Sequence, residues 1–233
     1  MESGSAIGTL QERSLHAAIK SLYGDAESRA EVLVDGYIVD VVKDGLLVEV
    51  QTRNFAAIKD KLFNLMKNHS IRLVYPIPSD KWVVRQTSAG REISRRHSPK
   101  RMGFAHVFEE LVRIPTFVIS ENFSLEVLLI AEEEIRVQDG KGSWRRKGWS
   151  SVDRRLLDVL DRKLYTNPND FLHLIPKNLD SPFTTKRLAE ALSITQNLAQ
   201  KMTYCMRKMG VLEIIGKEGN ASLYNVKLPT SLT

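Results

Sequence analysis

Cysteine is almost absent from this chain. The one thiol, Cys205, has no internal partner, so an internal disulfide framework and a cysteine-based zinc site are both excluded, and a reducing, cytoplasmic setting is expected. Long apolar runs are missing as well. None approaches the roughly 18 residues that a membrane-spanning helix needs, and the opening MESGSAIGTLQER lacks the apolar stretch of a secretory leader, so no membrane partner is expected. Three catalytic signatures are also lacking. Without a GxxxxGK[ST] loop there is no cradle for nucleotide phosphates, without HEXXH no zincin site, and without GxSxG no acyl-transfer elbow. An NTP-driven motor and a nucleotide cofactor are therefore not expected.

What is present is an uneven charge. The chain carries a net +6, but residues 1–140 hold 18 Lys and Arg against 20 Asp and Glu, whereas residues 141–233 hold 16 against 8. A first part of net −2 is thus joined to a second of net +8. Such a basic segment gains free energy by releasing counterions from nucleic acid, so DNA is the expected partner. Between the two lies DGKGSWRRKGWS, rich in Gly and basic residues and without hydrophobic periodicity. This suggests a domain at 1–140, a basic tryptophan-bearing linker at 141–149 and a second domain at 150–233.

In the first part, Thr9 and Glu12 stand at capping-box spacing, and Leu15, Ala18, Ile19 and Leu22 follow at helical spacing. Two β-branched runs, Gly36–Lys43 and Leu46–Gln51, flank Asp44-Gly45, a strong signal for a two-residue hairpin turn. A helix over 55–67 and a strand over 71–77 come next, and a right-handed crossover makes that strand parallel to 46–51. Lys81–Gln86 reads as a further strand, 91–101 as a basic loop, Phe104–Val112 as a helix, and Leu125–Ile130 as a strand followed by the acidic triplet at 132–134. The expected class is α/β, a mixed sheet flanked by helices.

The hairpin turn fixes a register. Paired positions sum to 89, which sets Val39, Val41, Val48 and Val50 on one face and Asp40 opposite Glu49 on the other, with Gln51 beyond. Facing carboxylates destabilise a sheet unless something compensates, and a divalent cation does so. Glu12, at the start of the buried stripe of its helix, adds a third carboxylate. His16 reads as an ordinary helix-packing histidine.

This pattern, a Glu-bearing helix followed by VDGYIVDVVKDGLLVEVQT, resembles the PD-(D/E)XK nuclease superfamily, in particular its Holliday-junction-resolvase-like branch. The resemblance covers residues 8–77 and implies a restriction-endonuclease-like fold. It also implies hydrolysis of DNA phosphodiesters with Mg²⁺ or Mn²⁺ held by Asp40, Glu49 and the carbonyl of Val50, with Glu12 near the same site, and a homodimer. Glu12, Asp40, Glu49 and Gln51 are the catalytic set it implies. The chain departs from the pattern at Gln51, where the family has lysine. Arg53 and Lys59 are alternative sources of the missing charge.

In the second part, 150–164 shows Val152, Leu156, Leu157, Leu160 and Leu164 at helical spacing. A helix capped by Thr184 or Thr185, a turn at 193–195 and a second helix over 197–209 follow, then β runs 212–215 and 222–226. Leu198, Met202, Cys205, Met206 and Met209 form the inward stripe of the second helix. Three helices and a β-hairpin resemble a winged helix-turn-helix domain. That implies a DNA-reading face of Asn197, Gln200, Lys201, Tyr204 and Lys208, with Lys217 on the wing. Arg145, Arg146 and Lys147, beside Trp144 and Trp149, are further candidates for phosphate contact. The leading expectation is a metal-dependent DNA endonuclease positioned by a winged helix. The alternative is a catalytically inactive DNA-binding regulator that keeps the nuclease fold as a scaffold.

Overall fold

The computed structural model of the chain describes residues 14–24 and 28–227. A helix α1 (Ser14–Ser21) leads into the antiparallel strands β1 (Arg29–Val34), β2 (Tyr37–Lys43) and β3 (Leu46–Val50). A single 3₁₀ turn and helix α2 (Lys59–Leu65) then carry the chain across to β4 (Ile71–Gln86), which runs parallel to β3. Strand β5 (Glu92–His97) folds back on the second half of β4, and α3 (Phe108–Leu111) leads to β6 (Phe123–Gln138), parallel to β4 along its whole length. Strand β7 (Trp149–Tyr165) returns antiparallel to β6. The result is a seven-stranded mixed sheet of order β1-β2-β3-β4-β6-β7, with β5 beside β4.

The hairpin register holds as far as Val41: Val41 pairs with Val48, Val42 with Leu47 and Lys43 with Leu46, and the ladder ends there, so the expected Asp40–Glu49 pair is not formed. Asp44 and Gly45 both have positive φ, 49° and 77°, the backbone of a type I′ turn. The expected all-valine face is incomplete. Val41, Val48 and Val50 pack with Leu15 and Ile19 of α1, but Val39 joins Leu47 in the cluster on the other side. The β2–β3 ladder ends between Val39 and Val41, at the Val41–Val48 pair, and beyond it the Val50 N–H donates to the Asp40 side chain.

The runs 71–77 and 81–86 are one strand. Val74 turns its carbonyl toward β3, accepting from the Gln51 N–H, so Pro76 and Pro78 present their ring nitrogens to the same side. There β3 has ended and β5 has not begun, so no ladder bond is lost. Residues 92–97, expected within a loop, are β5; nearly all of its residues are exposed, so it carries no apolar alternation to read. The acidic triplet lies inside β6, with Glu132 and Glu134 buried.

The largest correction concerns 150–164, which is strand and not helix. Pairing with β6 shifts register three times along β7, and Val152, Leu157 and Leu160 are the extra residues at those shifts. Each bulge reverses strand parity, so the period of two disappears and a helix-like spacing of leucines remains. The three bulged residues face outward, while Leu156 and Val159 pack inward toward α1. Residues 141–149, expected as an interdomain linker, join β6 to β7, and the C-terminal helical part starts only after Tyr165.

That part begins with a 3₁₀ stretch at 168–174. It continues with α4 (Thr185–Leu192), α5 (Gln196–Lys208) and a two-stranded sheet of β8 (Leu212–Glu218) and β9 (Ala221–Val226). Thr184 caps α4, its hydroxyl accepting from the Arg187 N–H at 3.3 Å. The stripe of Leu198, Met202, Cys205, Met206 and Met209 is buried as expected, and burial pushes the Cys205 thiol up to about 12, so it stays a neutral packing group. One hydrophobic cluster runs from α2, α3 and the sheet into α4 and α5. Phe171 stacks on Tyr165 at 4.3 Å and meets Phe108 at 5.8 Å, which ties the two parts together. No helix among the described residues is long and apolar enough to cross a membrane.

Candidate functional site

The turn at Asp44-Gly45 and the crossover through α2 bring Asp40, Glu49 and the end of β3 to one place beside β4. Asp40 Oδ2 accepts from the backbone N–H of Val50 at 2.8 Å. His16 of α1 reaches the same point: its Nε2 lies 3.0 Å from the carbonyl oxygen of Val50 and 3.3 Å from Asp40 Oδ2. A carbonyl can only accept, so Nε2 bears a proton and donates. Glu49 is buried, and the ammonium of Lys61 on α2 donates to its Oε2 at 2.6 Å and to the carbonyl of Ile38 at 2.6 Å.

The two carboxylates differ in proton affinity. For Asp40, burial acts upward, but the hydrogen bonds from His16 and the Val50 N–H, with the His16 and Lys61 charges, outweigh it and hold the group below the usual carboxylate range. Glu49 is pushed above that range by burial and then by the negative charge of Asp40, with Lys61 opposing. A carboxylate strained in this way is one that a further cation would relieve. The donor set of Asp40, Glu49 and the Val50 carbonyl is all oxygen, the type that Mg²⁺ prefers, although Asp40 Oδ2, Glu49 Oε2 and the carbonyl are engaged by the Val50 N–H, Lys61 and His16. Among the described residues no three His, Cys, Asp or Glu side chains cluster as a metal site. Thr9 and the third expected carboxylate, Glu12, lie outside the described residues.

Gln51 donates through Nε2 to the carbonyl of Asn54 at 3.2 Å. Neither Arg53 nor Lys59 supplies the charge missing at Gln51: both are exposed, and Lys61 is the cation on Glu49. The sequence did hold a signal for it. Ile58, Lys61 and Leu65 stand at i, i+3 and i+7, so Lys61 lies on the buried stripe of its helix. His16, which the sequence presents as an ordinary helix-packing histidine, touches both the Val50 carbonyl and Asp40.

The nucleic-acid candidates are dispersed. Asn197, Gln200, Tyr204 and Lys208 are exposed along one side of α5, and Lys217 is exposed near the tip of the β8–β9 hairpin. Lys201 is instead half-buried and paired with Glu109 of α3, so it joins α5 to the sheet unit. Arg146 and Lys147 are exposed in the β6–β7 connection, as is Trp144, whereas Trp149 packs under Arg85 at 4.8 Å. The side chain of Arg145 is outside the described set. The positive surplus is also placed differently from expectation. Residues 141–165 carry eight Lys and Arg against three Asp, a net of +5, and belong to the sheet unit. The part after Tyr165 carries eight against five, a net of +3.

A second charged network lies in β4, β6 and β7. Lys81 sits 3.2 Å from Glu132 and 2.5 Å from Glu134, while Arg136 holds Glu134 at 2.8 Å and Arg154 holds Glu132 at 3.0 Å. Nothing in the sequence announced it, because the partners come from three strands far apart in the chain.

The family described as "Domain of unknown function (DUF8091)" matches residues 13–166. The match ends one residue beyond β7, so it takes in the whole seven-stranded sheet and excludes the helices that follow. An "Uncharacterized protein" of Treponema pallidum (strain Nichols) is 31% identical over 225 residues, covering 96% of this chain and 88% of the relative. That extent includes the C-terminal helical part as well as the sheet. No solved structure matches the chain. With its sheet and the Asp40–Glu49 site both inside the matched region, the chain belongs to the DUF8091 family.

Proposed function

We propose that the protein is a divalent-metal-dependent DNA endonuclease of the PD-(D/E)XK type, with its C-terminal part acting as a winged helix-turn-helix that positions it on DNA. The observation that carries this reading is a buried Glu49 with a half-buried Asp40 close by, at the end of a parallel strand pair, with Lys61 supplying the positive charge that Gln51 lacks. It is supported by the order of elements: a helix, three antiparallel strands, a crossover helix, and a fourth strand parallel to the third. The turn between α4 and α5 and the hairpin that follows support the positioning role.

Asp40, Glu49 and the Val50 carbonyl, with Glu12, would hold Mg²⁺ or Mn²⁺. Such an ion supplies a bound water of lowered pKa and polarises the scissile phosphate. Lys61 favours the ionised form of Glu49 against the opposing effects of its burial and of Asp40. His16 fixes the Val50 carbonyl and the Asp40 carboxylate relative to each other. Gln51 orients water through its amide and leaves the charge work to Lys61. The C-terminal helices bring duplex DNA to this edge through the exposed side of α5 and through Lys217.

A second reading, a catalytically inactive DNA-binding regulator, is favoured by one specific fact: Lys61 and His16 already neutralise oxygens that an ion would use. Cleavage of duplex, flap, four-way-junction and single-stranded DNA in Mg²⁺ and Mn²⁺ decides between them. The nuclease reading expects Asp40→Asn and Glu49→Gln to lose about 100-fold or more in cleavage rate, the scale of losing one electrostatic stabiliser, with DNA binding retained. Binding without cleavage of any substrate selects the regulator.

A further inference from the structure

Beside the end of β3, the β6–β7 connection closes over a polar pocket of about 400 Å³. Its walls carry Arg53, Lys81, Lys141, Arg146 and Arg154 against a single lining carboxylate, Glu134. Glu134 is already held by Lys81 and Arg136, so it neutralises little of the rest. Arg53, Lys141 and Arg146 are exposed and make no ion pair among the described residues, and Nη2 of Arg154 is buried with no hydrogen-bond partner there. Lys81 and Arg154 are compensated by Glu132 and Glu134, which leaves Arg53, Lys141 and Arg146 as three uncompensated cations on one concave wall, a positive field that attracts an anion. The rim is built to stay closed: a Cβ placed on Gly142 would lie 2.2 Å from the carbonyl oxygen of Trp149, so only glycine lets the connection pack this tightly.

We propose that this pocket binds a phosphate group, held by the guanidinium forks of Arg53, Arg146 and Arg154 and by the ammonium groups of Lys81 and Lys141. Guanidinium and ammonium groups are the usual partners of phosphate oxygens, the first through paired hydrogen bonds and the second as a point charge. The phosphate comes either from a DNA backbone or from a free phosphomonoester. Naming DNA as the source rests on the function proposed above; the binding of phosphate does not.

The test separates the two. Fluorescence anisotropy with a labelled duplex, in EDTA so that no metal-dependent step contributes, compares wild type with the triple variant Arg53→Ala/Lys141→Ala/Arg146→Ala. All three side chains are exposed, and circular dichroism checks that the variant is folded. A DNA-phosphate site predicts a loss of about 10-fold or more in affinity, and a fall of about one in the slope of log K against log salt. Titration of inorganic phosphate and of a nucleoside monophosphate, followed by calorimetry, is the second arm. Saturable binding there that the triple variant loses, with duplex affinity unchanged, assigns the pocket to a free phosphomonoester. Unchanged duplex affinity and salt slope, together with no phosphate binding by wild type, overturns the proposal. Because the duplex assay needs no cleavage, an inactive enzyme that still loses affinity in the triple variant leaves this inference standing while the nuclease reading falls.

Discussion

Lys61 carries more of the site than its place on a surface helix suggests. Its ammonium opposes the upward push that burial and Asp40 exert on Glu49, and removing one partner of a buried pair leaves the other uncompensated. Lys61→Met is expected to cost about 3 kcal/mol in denaturant unfolding. Adding Glu49→Gln to that variant should recover part of the loss, since the double change removes the orphaned charge; strict additivity would show that the two groups do not interact. Glu134 makes a prediction of the opposite kind. Burial acts upward on it, but hydrogen bonds from Arg136 and Lys81, with their charges, bring it down to about 2. A carboxylate depressed on folding contributes its full stabilisation above its unfolded value of 4.5, and the contribution is lost as pH falls toward 2. The difference in Tm between wild type and Glu134→Gln should therefore be largest near neutral pH and shrink below about pH 4.5. A difference that stays constant across that range would remove the assignment.

At the level of elements, the β2–β3 hairpin was legible because its determinants are local. Asp44-Gly45 dictates the turn, the turn dictates the register, and the register sets Val41 against Val48. Gly45 at φ 77° is the position that a β-branched residue cannot occupy without strain. Gly45→Val should cost about 1–2 kcal/mol by thermal or denaturant unfolding and shift the Asp40–Glu49 geometry with it. Strand β7 shows the reverse case. Its partner β6 comes from far back in the chain, and three bulges erase the alternation that marks a strand, leaving leucines at helical spacing. The bulges also turn Val152, Leu157 and Leu160 outward along an edge strand, where interrupted pairing discourages another chain from adding to the sheet. Strand β5 was missed for a simpler reason: it has no buried face.

Across the whole molecule, the sheet and the C-terminal helices share one hydrophobic cluster through Phe108, Tyr165, Phe171, Leu188 and Met202. Trp82, Trp144 and Trp149 all lie in the sheet unit, whereas α4 and α5 supply much of the helix. Unfolding followed by tryptophan fluorescence and by far-UV circular dichroism should therefore give coincident transitions. Two separated transitions would show that the parts fold independently. The sequence alone determined the hairpin, its register as far as the Val41–Val48 pair and the buried stripe of α5, because each depends on neighbours a few residues away. Only the tertiary structure decided that 150–164 is a strand, that Lys61 and His16 close on the carboxylates, and that basic groups from β4, β7 and two connecting loops line one pocket. Those contacts join segments far apart in the chain, and long-range pairing overrides local spacing wherever it offers more hydrogen bonds and more buried surface.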